Sequence, residues 1–157
     1  MPSRKKKPYE KKRFESTGTS SDTSANIYMS MLLSPAWLEL TANQQRLYLY
    51  CKAQYYAEKN KHNSDPITFT MNRSKWCLLY KLYSDTNRDG FYRDRDALIE
   101  RGFIRVVVGG QNTRTKTIYA FWDMWQKWGR SDFIVSPQDM SSSMLRKLQK
   151  DKAASPD

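Results

Sequence analysis

Seven basic residues fall in one short stretch, six of them Arg88, Arg93, Arg95, Arg105, Arg114 and Lys116, with Tyr92 and Asn112 among them. The stretch is RDGFYRDRDALIERGFIRVVVGGQNTRTKTIY, from Arg88 to Tyr119. A guanidinium is a planar donor fork that grips phosphate oxygens, or the O6/N7 edge of guanine, through two parallel hydrogen bonds. Lysine adds a compact point charge. Phenol and amide side chains add further donors and acceptors. Residues of these types, this close together, point to recognition of an anion or a base edge rather than to bond making.

Other chemistry is poorly supplied. His62 is the single histidine and lies in the polar run KNKHNSD. With no second histidine and no paired carboxylate beside it, it suits neither a metal site nor general base work. No Gly-Lys-Ser/Thr loop is present to cradle a nucleotide phosphate. The many tyrosines raise the idea of a nicking or recombinase nucleophile. A nicking site of the common kind needs a histidine pair for its metal, and a 157-residue chain leaves little room for an Arg/His/Tyr recombinase. The expectation is a protein that is not an enzyme and takes no cofactor or metal.

The elements that must position these residues can be read from pattern. Ser34-Pro35 is a helix start, Ser at the cap and Pro at the first turn, with Trp37, Leu38 and Leu40 expected inward. Thr41 with Gln44 three residues on has capping-box spacing and opens a helix to about Lys59, with Leu47, Tyr50, Cys51, Gln54 and Tyr55 on one stripe. Tyr48, Tyr55 and Tyr56 read as core by their helical spacing. Ile67 to Thr70 alternates like a strand. Asn72 can cap a helix to Tyr80, with Trp76, Leu79 and Tyr80 inward, and the polar KLYSDTN then breaks it.

In the charged helix that follows, Phe91, Leu98 and Ile99 give an inward stripe, and Ala97 permits close packing. Gly102 stops it, with Phe103 and Ile104 returning to the core. The outer face carries Arg88, Tyr92 and Arg93, then Asp96 and Glu100. Asp89, Asp94 and Asp96 count against a nucleic-acid face, since carboxylates repel phosphate, and the alternation also reads as a solvated, ion-paired surface. The next segment has no such ambiguity. Arg105 to Val108 and Lys116 to Phe121 are strand-like, GGQNTRT lies between them, and no carboxylate occurs from Ile104 to Trp122. Such a hairpin can lie along a phosphate backbone or insert arginine into a minor groove. A helix, a polar break, a helix and a basic hairpin, in that order, make the layout of a winged helix-turn-helix. The fold expected is α+β: a winged helix-turn-helix domain with an N-terminal helical extension and a small antiparallel hairpin wing.

The chain carries a net charge of +11. Residues 1–13 hold seven Lys/Arg and one Glu, or +6, leaving +5 for the other 144 residues. Residues 1–26 read as a disordered basic arm. It is either a solubilising tail or a strap along phosphates, and a localisation patch is a third reading. Residues 27–128 form the expected domain. Trp122, Trp125 and Trp128, spaced by three, read as one face of a turn packed on the first helix, with base stacking as the alternative. Residues 129–157 read as a tail with an amphipathic helix at about 137–150, capped at Ser136, its apolar stripe Met140, Met144, Leu145 and Leu148. Cys51 and Cys77 sit in apolar patterns, as buried thiols do in a reducing compartment. No apolar run nears the ~18 residues of a membrane span. The expected location is cytoplasmic, associated with the nucleoid, with no membrane partner.

The pattern F-Y-R-D-x-x-x-L-I-x-x-G-F-I at Phe91 to Ile104, a glycine-bearing turn, and I-Y-x-F-x-D-x-W at Ile118 to Trp125 resemble small winged-helix proteins of bacterial mobile elements. These are replication-initiator and replisome-organiser-like proteins of plasmids, phages and conjugative elements, mostly Gram-positive. The likeness covers about residues 27–128. It implies double-stranded DNA as partner and a role in replication initiation or its control. The chain departs from the pattern at Arg95, where an aliphatic residue is usual; Arg95 either snorkels out of the interface or helps to bind. The expected DNA-contacting set is Arg88, Tyr92, Arg93, Arg95, Arg105, Asn112, Arg114 and Lys116. Alternatives are an adaptor that recruits replication or transfer proteins through the C-terminal stripe, a transcriptional regulator, and a single-strand or RNA binder. That stripe is also the one surface on which a homodimer is expected to pair.

Overall fold

A computed structural model describes residues 27–54, 68–72, 74, 76, 80–84, 86–109 and 116–154. The N-terminal arm, Tyr55 and Tyr56, His62, Cys77, Leu79, Asn112 and Arg114 lie outside the described residues. The chain is mixed α+β. Its helices are α1 (Met29–Leu32), α2 (Pro35–Leu38), α3 (Ala42–Gln54), α4 (Arg88–Glu100) and α5 (Ser142–Ala154). Its strands are β1 (Thr68–Thr70), β2 (Ile104–Val108) and β3 (Ile118–Phe121), in the antiparallel order β1-β3-β2. None of the described helices is long and apolar enough to cross a membrane.

Local chemistry explains the helix starts. Ser34 Oγ accepts from the Trp37 amide at 3.2 Å, and Pro35 fills the first helical position. The Thr41–Gln44 box closes in both directions: the Thr41 amide donates to Gln44 Oε1 at 2.9 Å and the Gln44 amide to Thr41 Oγ1 at 3.4 Å. One expectation for α2 fails. Trp37 and Leu40 are buried, but Leu38 is 68% exposed, because α2 lasts a single turn and turns only Ala36 and Trp37 inward.

Aromatic rings hold the core together. Tyr48 of α3 meets Trp37 at 5.8 Å and Phe103 at 5.2 Å, both edge-to-face. Phe103 stacks on Trp125 at 6.0 Å between centroids. Trp125 belongs to a 3-10 turn, Met124–Lys127, which packs on α2, so this tryptophan is core rather than an exposed platform. Trp76 is fully buried against Tyr80 and Phe91. Burial, aided by the nearby Cys51, pushes the Tyr48 phenol well above its ordinary pKa. Cys51 is a free, fully buried thiol, likewise pushed up by burial.

The join between α4 and β2 is the tightest corner. The Phe103 amide donates to the Leu98 carbonyl and the Gly102 amide to the Ile99 carbonyl, both at 3.0 Å, with Gly102 at φ 76°. This is a full Schellman stop. A Cβ on Gly102 would lie 2.7 Å from the Trp125 backbone nitrogen, so the corner also admits the returning chain only because the residue is glycine. β2 therefore leaves α4 with only Arg101 to Phe103 between them, and hairpin and helix are rigidly joined.

The C-terminal segment differs from the expectation of one helix at 137–150. Pro137–Asp139 is a 3-10 turn, Met140 is extended, and α5 starts only at Ser142, where Ser141 Oγ accepts from the Met144 amide at 3.3 Å. Two successive caps, Ser136-Pro137 and Ser141, compete in the sequence, and the second one starts the α-helix.

Gly102→Ala is expected to lower the unfolding free energy by about 2 kcal/mol or more, from left-handed backbone strain and the clash with the Trp125 backbone. Gly109→Ala, whose Cβ meets open space, is expected to leave the melting temperature nearly unchanged. Thermal unfolding of the two variants side by side checks this.

Candidate nucleic-acid interface

Helix α4 begins with Asn87, whose side chain accepts from the Gly90 amide at 2.9 Å. A Cβ on residue 90 would lie 2.6 Å from that side chain, so the helical glycine, costly in propensity, makes room for the cap. The cap fixes where the helix starts, and hence which side chains face outward.

Asp94 fixes how it is rolled. Its side chain is 3% exposed and accepts from Gln44 Nε2 at 3.2 Å and from the Tyr83 hydroxyl at 2.8 Å. A buried carboxylate is tolerated only when its lone pairs are satisfied, so this triad ties α4 to the N-terminus of α3 and to the segment preceding α4. Burial, then the hydrogen bond and charge of Asp94, push the Tyr83 phenol far above its ordinary value of 10.0. With Phe91, Leu98, Ile99 and Ala97 also buried, the outward residues are Asp89, Tyr92, Arg93 and Glu100, with Asp96 half-buried.

The expected contact residues divide sharply. Arg93 faces solvent: its side chain is 76% exposed, and its Nε pairs with Asp94 Oδ1 at 3.7 Å. Tyr92 is exposed on the same helix, and Lys116 is exposed two residues before β3. The backbone of Arg88 opens α4, while its side chain, like Asn112 and Arg114 as whole residues, lies outside what the structure describes.

Arg95 corrects the sequence expectation. It is buried rather than on a contact face. Its Nε and Nη2 donate to Asp96 Oδ1 at 2.9 and 2.7 Å, Nη2 also donates to Ser143 Oγ at 2.6 Å, and the guanidinium lies 5.0 Å from the Tyr92 ring centre. Nη1 reaches toward the Tyr119 hydroxyl at 3.5 Å. The charge the sequence pattern could not place is neutralised by the adjacent Asp96. Arg105 is also engaged: its Nη1 lies 3.5 Å from Asp139, and its buried Nε has no hydrogen-bond partner.

The aspartates that counted against this helix are thereby largely accounted for. Asp94 points into the body and Asp96 is bound by Arg95, Ser141 and Ser143, which leaves Asp89 as the outward carboxylate of the first two turns. On β2 a bulge between Val106 and Val108 leaves Val107 and Val108 exposed where the hairpin leaves the sheet.

Sequence reasoning missed Ser141, Ser143 and Asp139, which reach α4 and β2 from the C-terminal segment. The only available signal is the Ser-Ser-Ser run, which does not name its acceptor. No family model, no curated protein and no solved structure matches the chain.

Asp94→Ala is expected to cost about 2–3 kcal/mol, because the Gln44 amide and Tyr83 hydroxyl lose their acceptor. The raised Tyr83 pKa adds a pH dependence. The fold holds this proton more tightly than the unfolded chain, so its contribution is complete below pH 10.0, the ordinary value, and is lost as pH rises above it. Urea titrations from pH 8 to 11 are expected to show that decline, and Tyr83→Phe to reduce it.

Proposed function

We propose that the chain is a winged helix-turn-helix protein that binds duplex DNA, with the role in replication initiation or its control that its resemblance to mobile-element proteins implies. The observation that carries this reading is the rigid joint at Gly102. It couples a helix presenting Tyr92 and Arg93 to a hairpin whose sequence from Ile104 to Trp122 contains no carboxylate. The strand order β1-β3-β2, with helical segments between β1 and β2, is that expected of a winged helix.

In this reading the first two turns of α4 enter the major groove. Arg93 contacts a base edge or the phosphate flanking it, and Tyr92 adds a hydroxyl. Arg88, at the positive end of the helix dipole, joins them. Lys116 and Arg114 lie along backbone phosphate beside the wing. Arg95 has a different task from the one its charge suggests: it holds Tyr92 and Asp96 in place from beneath. The Asp94 triad sets the roll of the helix, and so which residues meet the groove.

Fluorescence anisotropy with a labelled duplex library tests this. Arg93→Ala is expected to weaken binding by about 1–3 kcal/mol if it reads a base. Lys116→Ala is expected to reduce the slope of log K against log salt by about 0.9. If both variants bind duplex as the parent does, at two salt concentrations, the assigned surface is wrong.

A further inference from the structure

A hollow of ≈ 450 Å³ opens between the last turn of α4, helix α5 and residues 133–135. Phe133, Val135, Met140, Met144 and Leu148 line it with apolar surface, and Glu100, Lys147 and Asp151 add charges of both signs. The apolar stripe of α5 is thereby divided. Met144 packs on the core and Leu145 turns toward the hairpin, while Leu148 stays half-exposed in this hollow. Ile134 lies between two of the lining residues and is 66% exposed. The segment that carries it is held firmly: Lys127 and Arg130 both pair with Asp132, at 3.3 and 3.0 Å, and Phe133 meets Trp128 edge-on at 5.0 Å.

From this face we infer that two copies of the chain pair about a two-fold axis, each seating Ile134 at the other's hollow. The inference goes beyond the DNA reading and does not require it. An apolar knob and an apolar hollow on one face are self-complementary, so the contact closes as a dimer instead of running on as a filament. Charge points to a second copy as the occupant. Glu100, Lys147 and Asp151 have no ion-pair partner among the described residues. A two-fold pairing brings each Lys147 to the acidic residues of the other copy's hollow, and it does so twice.

Charge also limits where copies can meet. A chain of net charge +11 repels its own copies wherever basic faces approach each other. On α5 the spacing of Met144, Lys147, Leu148 and Asp151 puts them on one helical face, with Arg146 and Lys150 opposite and exposed. The paired face therefore carries two carboxylates and one ammonium per copy and leaves Arg146 and Lys150 outside it. Tyr28, Met29, Leu33 and Leu38 are also exposed, but residues 27–38 hold no charged side chain to fix a register.

Sedimentation velocity on the full chain at rising concentration tests this. A monomer–dimer equilibrium is expected, and a chain that stays monomeric throughout overturns the proposal. Ile134→Asp is expected to raise the dissociation constant by about tenfold or more, as loss of a central interface side chain does. Ile134 is exposed in the single chain, so the melting temperature of this variant at high dilution is expected to match the parent's. Lys147→Glu is expected to weaken pairing several-fold. Adding Glu100→Lys and Asp151→Lys to it is expected to bring pairing back toward the parent's, because complementarity survives inversion of all three charges. Inversion that stays as weak as Lys147→Glu alone overturns the charge assignment and the pairing with it. Dimers that Ile134→Asp leaves intact also overturn the proposal, and their loss on Leu33→Asp instead would place the contact at α1.

Discussion

The carboxylate of Asp94 is the constraint on which the rest of the structure depends. It is buried on the body side of a charged helix and is satisfied by Gln44 and Tyr83, which come from different parts of the chain. A buried anion with two donors in fixed positions leaves the helix little freedom to rotate. Once Asp94 points inward, Phe91 and Leu98 follow into the core, and Tyr92 and Arg93 are carried to the surface. The cap at Asn87 and the stop at Gly102 then fix the two ends of the same helix.

The helix is tied in turn to everything after it. The Trp122 amide donates to the Phe103 carbonyl and the Trp125 amide to the Gly102 carbonyl, so the chain leaving the sheet returns to the corner where the helix stopped. Trp128 places its ring 5.3 Å from the Arg101 guanidinium, and Arg101 also reaches Glu39 at 3.8 Å. Helix stop, hairpin root and tryptophan turn thus form one packed unit, on which a surface side chain keeps its orientation. A recognition surface needs this property, because the entropy of ordering it is then met on folding rather than on binding.

Much of the architecture was legible in the sequence because it rests on local chemistry. Ser34-Pro35, Thr41 with Gln44, and Gly102 each mark a boundary through a hydrogen bond made within five residues. The periodic burial of Phe91, Leu98 and Ile99 was legible for the same reason. What was not legible depends on distant partners. Asp94 meets Gln44 across 50 residues and Asp96 meets Ser141 across 45, so nothing local separates them from Asp89, which is exposed. The outward reading of Arg95 failed for this reason: its guanidinium is held by Asp96 beside it and by Ser143 from the C-terminal segment, 48 residues on. Leu38 was misplaced because a one-turn helix has no established face for periodicity to report.

The central claim is that the first two turns of the helix and the root of the hairpin together contact duplex DNA. An amide-resolved NMR titration of the full chain with a duplex tests it most directly. The account predicts shifts that saturate with duplex and concentrate at Tyr92, Arg93 and Lys116, with single strands competing poorly. No shift at those amides at low salt, or shifts concentrated around Tyr28, Met29 and Leu33 instead, would contradict it.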